Sequence, residues 1–167
     1  VHKFIGLVVS VQLLLWTISG IFFSFNKIDQ IRGENYLKSV EQITPQKISR
    51  ISFEEAKELV IEKTYLKPIS VEEITEEKRG SEFRGRNLPL YKLSSLDSSD
   101  KEVNVYIDPS LGKIVAIRTF EWRLWDLMWG LHIMDWRDRD DINNLLLKIF
   151  SILSLIHISE PTRPLEI

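Results

Sequence analysis

The run Phe4–Phe25, FIGLVVSVQLLLWTISGIFFSF, holds 22 consecutive residues without a charge, and it constrains the chain more than any other feature. At 1.5 Å per residue it measures about 33 Å as a helix, enough to cross a hydrocarbon core about 30 Å thick. A secretory signal has an apolar core of only about 7–15 residues, closed by small residues at a cleavage site. This run is longer and leaves through Phe22, Phe23 and Phe25, so it reads as an uncleaved transmembrane anchor whose partner is the lipid bilayer. The chain opens Val1-His2-Lys3. That opening is expected to follow lost N-terminal residues or an alternative start codon.

Inside the run, Gln12 lies near mid-membrane, and Trp16 follows one turn later on the same face. An amide in hydrocarbon is costly unless it is hydrogen-bonded, which directs Gln12 towards another helix. Gly6, Ser10, Ser19 and Gly20 are small enough for close approach. The expected helix–helix contacts are Gly6, Gln12, Trp16 and Gly20, made to other transmembrane helices of this protein or of a partner subunit.

Beyond Asn26 the solvent changes, with charges every few positions to about Asp141. The formal net charge of −2 gives no basic surface and argues against nucleic acid as a partner. Cysteine is absent, which excludes disulfides, Cys-ligated metals and a Cys nucleophile. Asn26–Arg50 reads as a polar connector. SFEEAKELVIEKTY reads as a helix, with Ser52 and Glu55 as a capping box and Ala56, Leu59, Val60 and Lys63 on one face. Ile69–Thr75 and Leu88–Ser95 have strand character, with a charged loop or hairpin end at 77–87 between them. In EVNVYID, Val103, Val105 and Ile107 alternate with polar or aromatic neighbours, as in a strand. Asp108-Pro109-Ser110-Leu111-Gly112 is a turn, and KIVAIRTF returns as the hairpin partner. The fold class is α+β: an N-terminal transmembrane helix, a helix packed on a small antiparallel sheet, and the start of a second transmembrane helix.

ISFEEAKELV followed by strands ending in VYIDPSLGKIVAI resembles the PepSY domain. HKFIGLVVSVQLLLWTISGIFFSF resembles the first span of PepSY-associated transmembrane proteins, and LWDLMWGLHIMDW resembles the stretch before their second span. The three segments cover most of residues 1–152. The resemblance implies a bacterial cytoplasmic (inner) membrane protein, N-terminus inside and globular domain periplasmic. It also implies a relation to iron-regulated membrane proteins, some of them haem-containing ferric or ferric-siderophore reductases and many others without an established activity.

Trp122, Trp125, Trp129, His132 and Trp136 are spaced 3, 4, 3 and 4 apart, as on one face of a helix. Trp favours the bilayer interface, so one reading is an interfacial belt with His132 as a polar neighbour. The other, raised by the resemblance, is that His132 ligates a haem iron, with haem b as the cofactor. His2 lies at the opposite end of the first span, about 33 Å away. It would serve a separate haem near the other face, or simply sit at the interface. Residues 153–163, LSLIHISEPTR, resemble a translated sequencing adapter, which removes His157 from functional consideration. LLLKIFSI (145–152) then reads as the beginning of a second span, cut short.

The mixed-charge run Asp135–Asp141 reads as a solvated, salt-bridged collar, and Glu72, Glu73, Glu76 and Glu77 as a solvated edge; no metal site is assigned. No Walker loop, dinucleotide fingerprint, HExxH motif or nucleophile elbow is present. No catalytic residue is therefore assigned, and any enzyme activity would be that of a membrane oxidoreductase. The expected division is 1–26 transmembrane helix, 27–50 connector, 51–119 PepSY-like domain, 120–142 Trp-rich amphipathic helix, 143–152 start of the second span and 153–167 non-native tail. Two function classes remain: a haem-bearing electron-transfer component linked to iron reduction, or a non-enzymatic tethered module that binds or inhibits a periplasmic protein or peptide.

Overall fold

The computed structural model describes residues 2–38 and 50–159, apart from the side chains of His2, Lys3, Ile5 and residues 157–159. Ten helical and strand segments follow one another: α1 (His2–Phe25), the single turn α2 (Ile28–Ile31), a 3₁₀ turn (Glu34–Tyr36), α3 (Phe53–Lys63), β1 (Lys67–Ile74), β2 (Leu90–Leu96), β3 (Glu102–Asp108), β4 (Lys113–Arg118), α4 (Phe120–His132) and α5 (Leu145–Ser159). By their internal contacts the residues form two compact units, Asn26–Trp125 and Val1–Phe25 with Asp126–Ile167.

In Asn26–Trp125, four strands form an antiparallel meander in the order β1-β2-β3-β4. The helix α3 begins where the sequence places it. Ser52 accepts from the Glu55 amide at 3.3 Å, and the Glu55 carboxylate accepts from the Ser52 amide at 2.6 Å, completing the capping box. Its apolar stripe, Ala56 and Val60, is fully buried against Tyr91, Leu93, Val103, Val105, Ile107 and Ile117. Each large aliphatic side chain so buried contributes about 1.5–3 kcal/mol. The β3–β4 turn is held by Asp108, whose carboxylate accepts from the amides of Ser110 at 2.9 Å and Leu111 at 3.2 Å. Gly112 takes a left-handed φ of 56° there.

Two features differ from the sequence reading. The sheet is covered on both faces. Tyr106, which alternation alone would leave half-wet, is 2% exposed and packs with Leu90 and Ala116 beneath Phe83 and Leu88. The charged loop between β1 and β2 is therefore a second cover rather than a solvated hairpin end. A register shift opposite Tyr106/Ile107 inserts Val115 into β4, so that Ala116 pairs with Tyr106 on this face while Ile114 and Ile117 stay on the α3 face.

The connector, too, is partly structure. Ile31 is buried, Tyr36 and Leu37 pack on the α3 face, and Leu37 bridges to Thr64. The remainder of the connector, 39–49, lies outside the described residues. Gly33 has φ 76°, and a Cβ there would stand 2.7 Å from Ile117 Cγ2, so only glycine lets the chain pass this close to β4.

In the other unit, Gly6–Phe25 is the one helix among the described residues long and apolar enough to cross a membrane. Its outward residues Phe4, Leu7, Val11, Leu14, Ile21 and Phe25 are exposed, where the core helix of a globular domain would bury them. The apolar helix α5 is shorter; it packs on α1 and continues past Ile152 to Ser159.

Candidate functional site

The face of α1 that is buried runs Val9, Gln12 and Ser19, with Trp16 partly covered between them. These positions recur at 3 or 4 residues, one side of a helix. Gln12 is 4% exposed, and its Nε2 has no hydrogen-bond partner among the described residues. Gly20 is not a point of close approach, because a Cβ there would meet nothing within 4 Å. Ser19, one position earlier, takes that place in the packing. Gly6 is half-buried, and its carbonyl accepts from Ser10 Oγ at 2.7 Å.

His132, the last residue of α4, packs on this same α1 face. Trp16 Nε1 donates to the His132 carbonyl at 2.8 Å, and Ser19 Oγ lies 2.9 Å from His132 Nδ1. The direction of that second bond follows from counting protons. A serine hydroxyl has one proton, and Ser19 Oγ already lies 2.8 Å from the Leu15 carbonyl and 3.1 Å from that of Trp16. With two carbonyls within reach of the hydroxyl proton, the tautomer that suits this site has Nδ1–H donating to Ser19. Burial lowers the His132 pKa from its ordinary value, which keeps the ring neutral at neutral pH. In that tautomer Nε2 carries a lone pair with no hydrogen bond among the described residues. Phe23 packs edge-on to the ring at 5.6 Å and Trp129 stacks at 6.4 Å.

The end of α4 explains why His132 is placed so firmly. Asp135 N donates to the Gly130 carbonyl at 3.1 Å and Met134 N to that of Leu131 at 3.4 Å, with Met134 left-handed at φ 57°. This is a Schellman closure with methionine where glycine is usual. It corrects the 120–142 helix: α4 stops at His132, and Trp136 lies beyond it, 57% exposed and off the stripe. Nor is the run 135–141 merely a solvated collar. The Asp135 carboxylate gathers the amides of Asp138, Asp140 and Asp141 at 3.0–3.1 Å. Burial alone would raise its pKa, but those backbone bonds lower it. Asp126, 2% exposed, pairs with Arg139 at 2.8 Å.

The tryptophans divide accordingly. Trp122 is buried within Asn26–Trp125, its ring 4.2 Å from the Arg118 guanidinium, so it is not an interfacial residue. Trp125 and Trp129 are half-buried. The imidazoles of His2 and His157 lie outside the described residues. Seventeen residues of helix separate His2 from Ser19, about 26 Å, so His2 does not share a site with His132. Among the described residues, no three His, Asp or Glu side chains converge as a metal-holding group.

Sequence reading missed a cluster at the second cover. Glu82 accepts from Arg123 Nε through one oxygen, and from Asn104 Nδ2 at 2.9 Å and the Tyr106 hydroxyl at 3.0 Å through the other. Burial alone would raise its pKa; the bonds from Arg123 and Asn104, the charge of Arg123 and the Tyr106 bond together lower it. Burial, then Glu82, raises the Tyr106 hydroxyl. The one hint in the sequence was Phe83, an aromatic residue in an otherwise charged loop.

No family model, curated protein or solved structure matches the chain.

Proposed function

We propose that this chain is part of a PepSY-type bacterial inner-membrane protein, its domain periplasmic, in which His132 would ligate the iron of a haem in an electron-transfer path linked to iron reduction. The observation that carries the reading is the Ser19–His132 bond. With Nδ1–H donating to Ser19, the Nε2 lone pair would be the ligating atom, the arrangement in which an outer partner orients a metal-bound histidine. Phe23 and Trp129 give the imidazole an aromatic surround, and Trp16 anchors the backbone of the same residue. When bound, a haem would supply a one-electron couple whose potential depends on the axial ligand and its hydrogen bonding. The second ligand would come from another helix, of this protein or a partner subunit, since His2 is too distant.

The test is optical. Membranes from haem-replete cells producing the protein should show Soret and α bands that disappear in His132→Ala. Ser19→Ala should keep the bands and shift the midpoint potential. Absence of a Soret band, or bands unchanged in His132→Ala, ends the proposal.

A second reading, the non-enzymatic binding module, has its own observation. A cleft of about 730 Å³ runs beside the edge strand β1, lined by Glu72–Phe83, Lys92, Asn104 and Tyr106. Ser81 Oγ and the 94%-buried Asn104's Oδ1 have no hydrogen-bond partner among the described residues. Peptide binding lost in Asn104→Leu, without a haem band, would favour it; peptide binding unaffected by that change would count against it.

A further inference from the structure

A second cleft in Asn26–Trp125, of about 370 Å³, lies between β4 and the residues that cross it. Its walls include Arg32, Glu34, Arg86, Arg118 and Trp122, with Leu37 and Ile114 as apolar surface. Arg118 projects from the last position of β4 and lies over the Trp122 ring at 4.2 Å; Arg84 approaches the same ring at 5.7 Å. Thr119 sets this geometry. Its hydroxyl accepts from the Trp122 amide at 3.1 Å, capping α4 and turning the indole back beneath Arg118.

The charges here do not balance. Among the described residues Arg118 donates only to backbone carbonyls, of Glu82 at 2.9 Å and of Ile117 at 3.1 Å. The Glu82 carboxylate is committed to Arg123, Asn104 and Tyr106. Among the described residues neither Arg32, Arg86 nor Arg118 forms a salt bridge, and Glu34 is the only acid in the cleft wall. Burial, and after it the charge of Arg86, lowers the Arg118 pKa to about 10, so it stays charged at neutral pH. A partly buried guanidinium crowded by like charges is unfavourable until an anion neutralises it. Arginine forks match oxyanions by paired N–H donors, and several converging cations favour a doubly charged group over a single carboxylate.

We propose that the cleft between β4 and residues 32–37 binds a phosphate group, held by Arg118, Arg86 and Arg32, with Leu37 and Ile114 against the organic part of the ligand. The group could belong to a soluble phosphorylated molecule or to a lipid headgroup; the chemistry is shared. The site is independent of His132 and does not rest on haem binding.

The experiment uses the whole chain in phosphatidylcholine nanodiscs, titrated with phenyl phosphate and followed by calorimetry and Trp fluorescence. Saturable binding is expected, weakened at least tenfold in Arg118→Gln and in Arg86→Gln, unchanged in Lys113→Gln, and falling with salt. Arg86 is exposed, so its variant tests the site without disturbing the fold, and near-ultraviolet circular dichroism checks both. Nanodiscs containing phosphatidic acid, whose headgroup is a phosphomonoester like the probe, distinguish the sources. Loss of phenyl phosphate binding there, with Arg118-dependent lipid retention, marks a headgroup; undiminished binding marks a soluble ligand. No saturable binding of the probe and no Arg118-dependent lipid retention overturns the proposal. So does probe affinity equal in Arg118→Gln, Arg86→Gln and Lys113→Gln.

Discussion

Replacing Glu82 should cost the Asn26–Trp125 unit a large part of its stability, although the residue sits in a loop. Its side chain is 23% exposed, and its carboxylate receives three donors. In Glu82→Ala, Asn104 Nδ2 and the Tyr106 hydroxyl lose their acceptor, at roughly 1–3 kcal/mol for each buried group left unsatisfied. Arg123 loses a charge-assisted bond as well. A total of about 3–5 kcal/mol is expected, against a stability of about 5–15 kcal/mol for a typical domain. For a unit of about this size each kcal/mol moves the midpoint by roughly 4–8 °C, so Tm should fall by at least about 12 °C. Glu82→Gln keeps the shape and should lose about 2 kcal/mol, chiefly the charged bond.

The pH dependence supplies a second check. The folded carboxyl of Glu82 has a lowered pKa. Its contribution is therefore fully present above the unfolded value, about 4.3 for Glu, and is lost as pH falls through the lower folded value. The gap between wild type and Glu82→Gln should be constant near neutrality and close below about pH 4. Urea titrations of the full chain in detergent, followed by far-ultraviolet circular dichroism, measure both. A Glu82→Ala loss under about 0.5 kcal/mol, the range of ordinary surface substitutions, would refute the reasoning. A Glu82→Gln gap unchanged at pH 3 would do the same.

Three further perturbations follow from local geometry. Gly33→Ala places a Cβ 2.7 Å from Ile117 Cγ2 at a left-handed φ, and should lower stability by more than about 1 kcal/mol in the same urea assay. Ser52→Ala removes the cap of α3 and should cost about 1 kcal/mol, with faster amide exchange at Glu55 and Ala56 as the readout. Asp126→Ala removes the 2.8 Å charge-assisted bond to the half-buried Arg139, should cost about 1.5–3 kcal/mol, and should speed tryptic cleavage after Arg137 and Arg139.

What could be read from the sequence was whatever one element decides by itself. The capping box at Ser52, the apolar stripe of α3 and the Asp108–Gly112 turn are written in neighbouring residues, and each formed as expected. The second cover of the sheet was not readable. Glu82 meets Asn104, Tyr106 and Arg123 across 22 to 41 residues, and its loop has the composition of a solvated one. The end of α4 was hidden for another reason: the signal for a Schellman closure is glycine, and Met134 stands there instead. The 3-4-3-4 spacing therefore carried the stripe on to Trp136. His132 was picked out by spacing and resemblance, but its tautomer depends on Ser19, 113 residues away.

With α3 over one side of the sheet and the half-buried Phe83 and Leu88 over the other, the loop that carries them covers the core while keeping a surface sequence. Length changes that surface loops usually absorb should not be tolerated across 78–88. The β2–β3 turn at Ser98–Asp100, exposed and, among the described residues, pinned through Asp97 alone, is the place in this unit where an epitope or reporter can enter. A builder choosing sites by hydrophilicity alone would pick the wrong one.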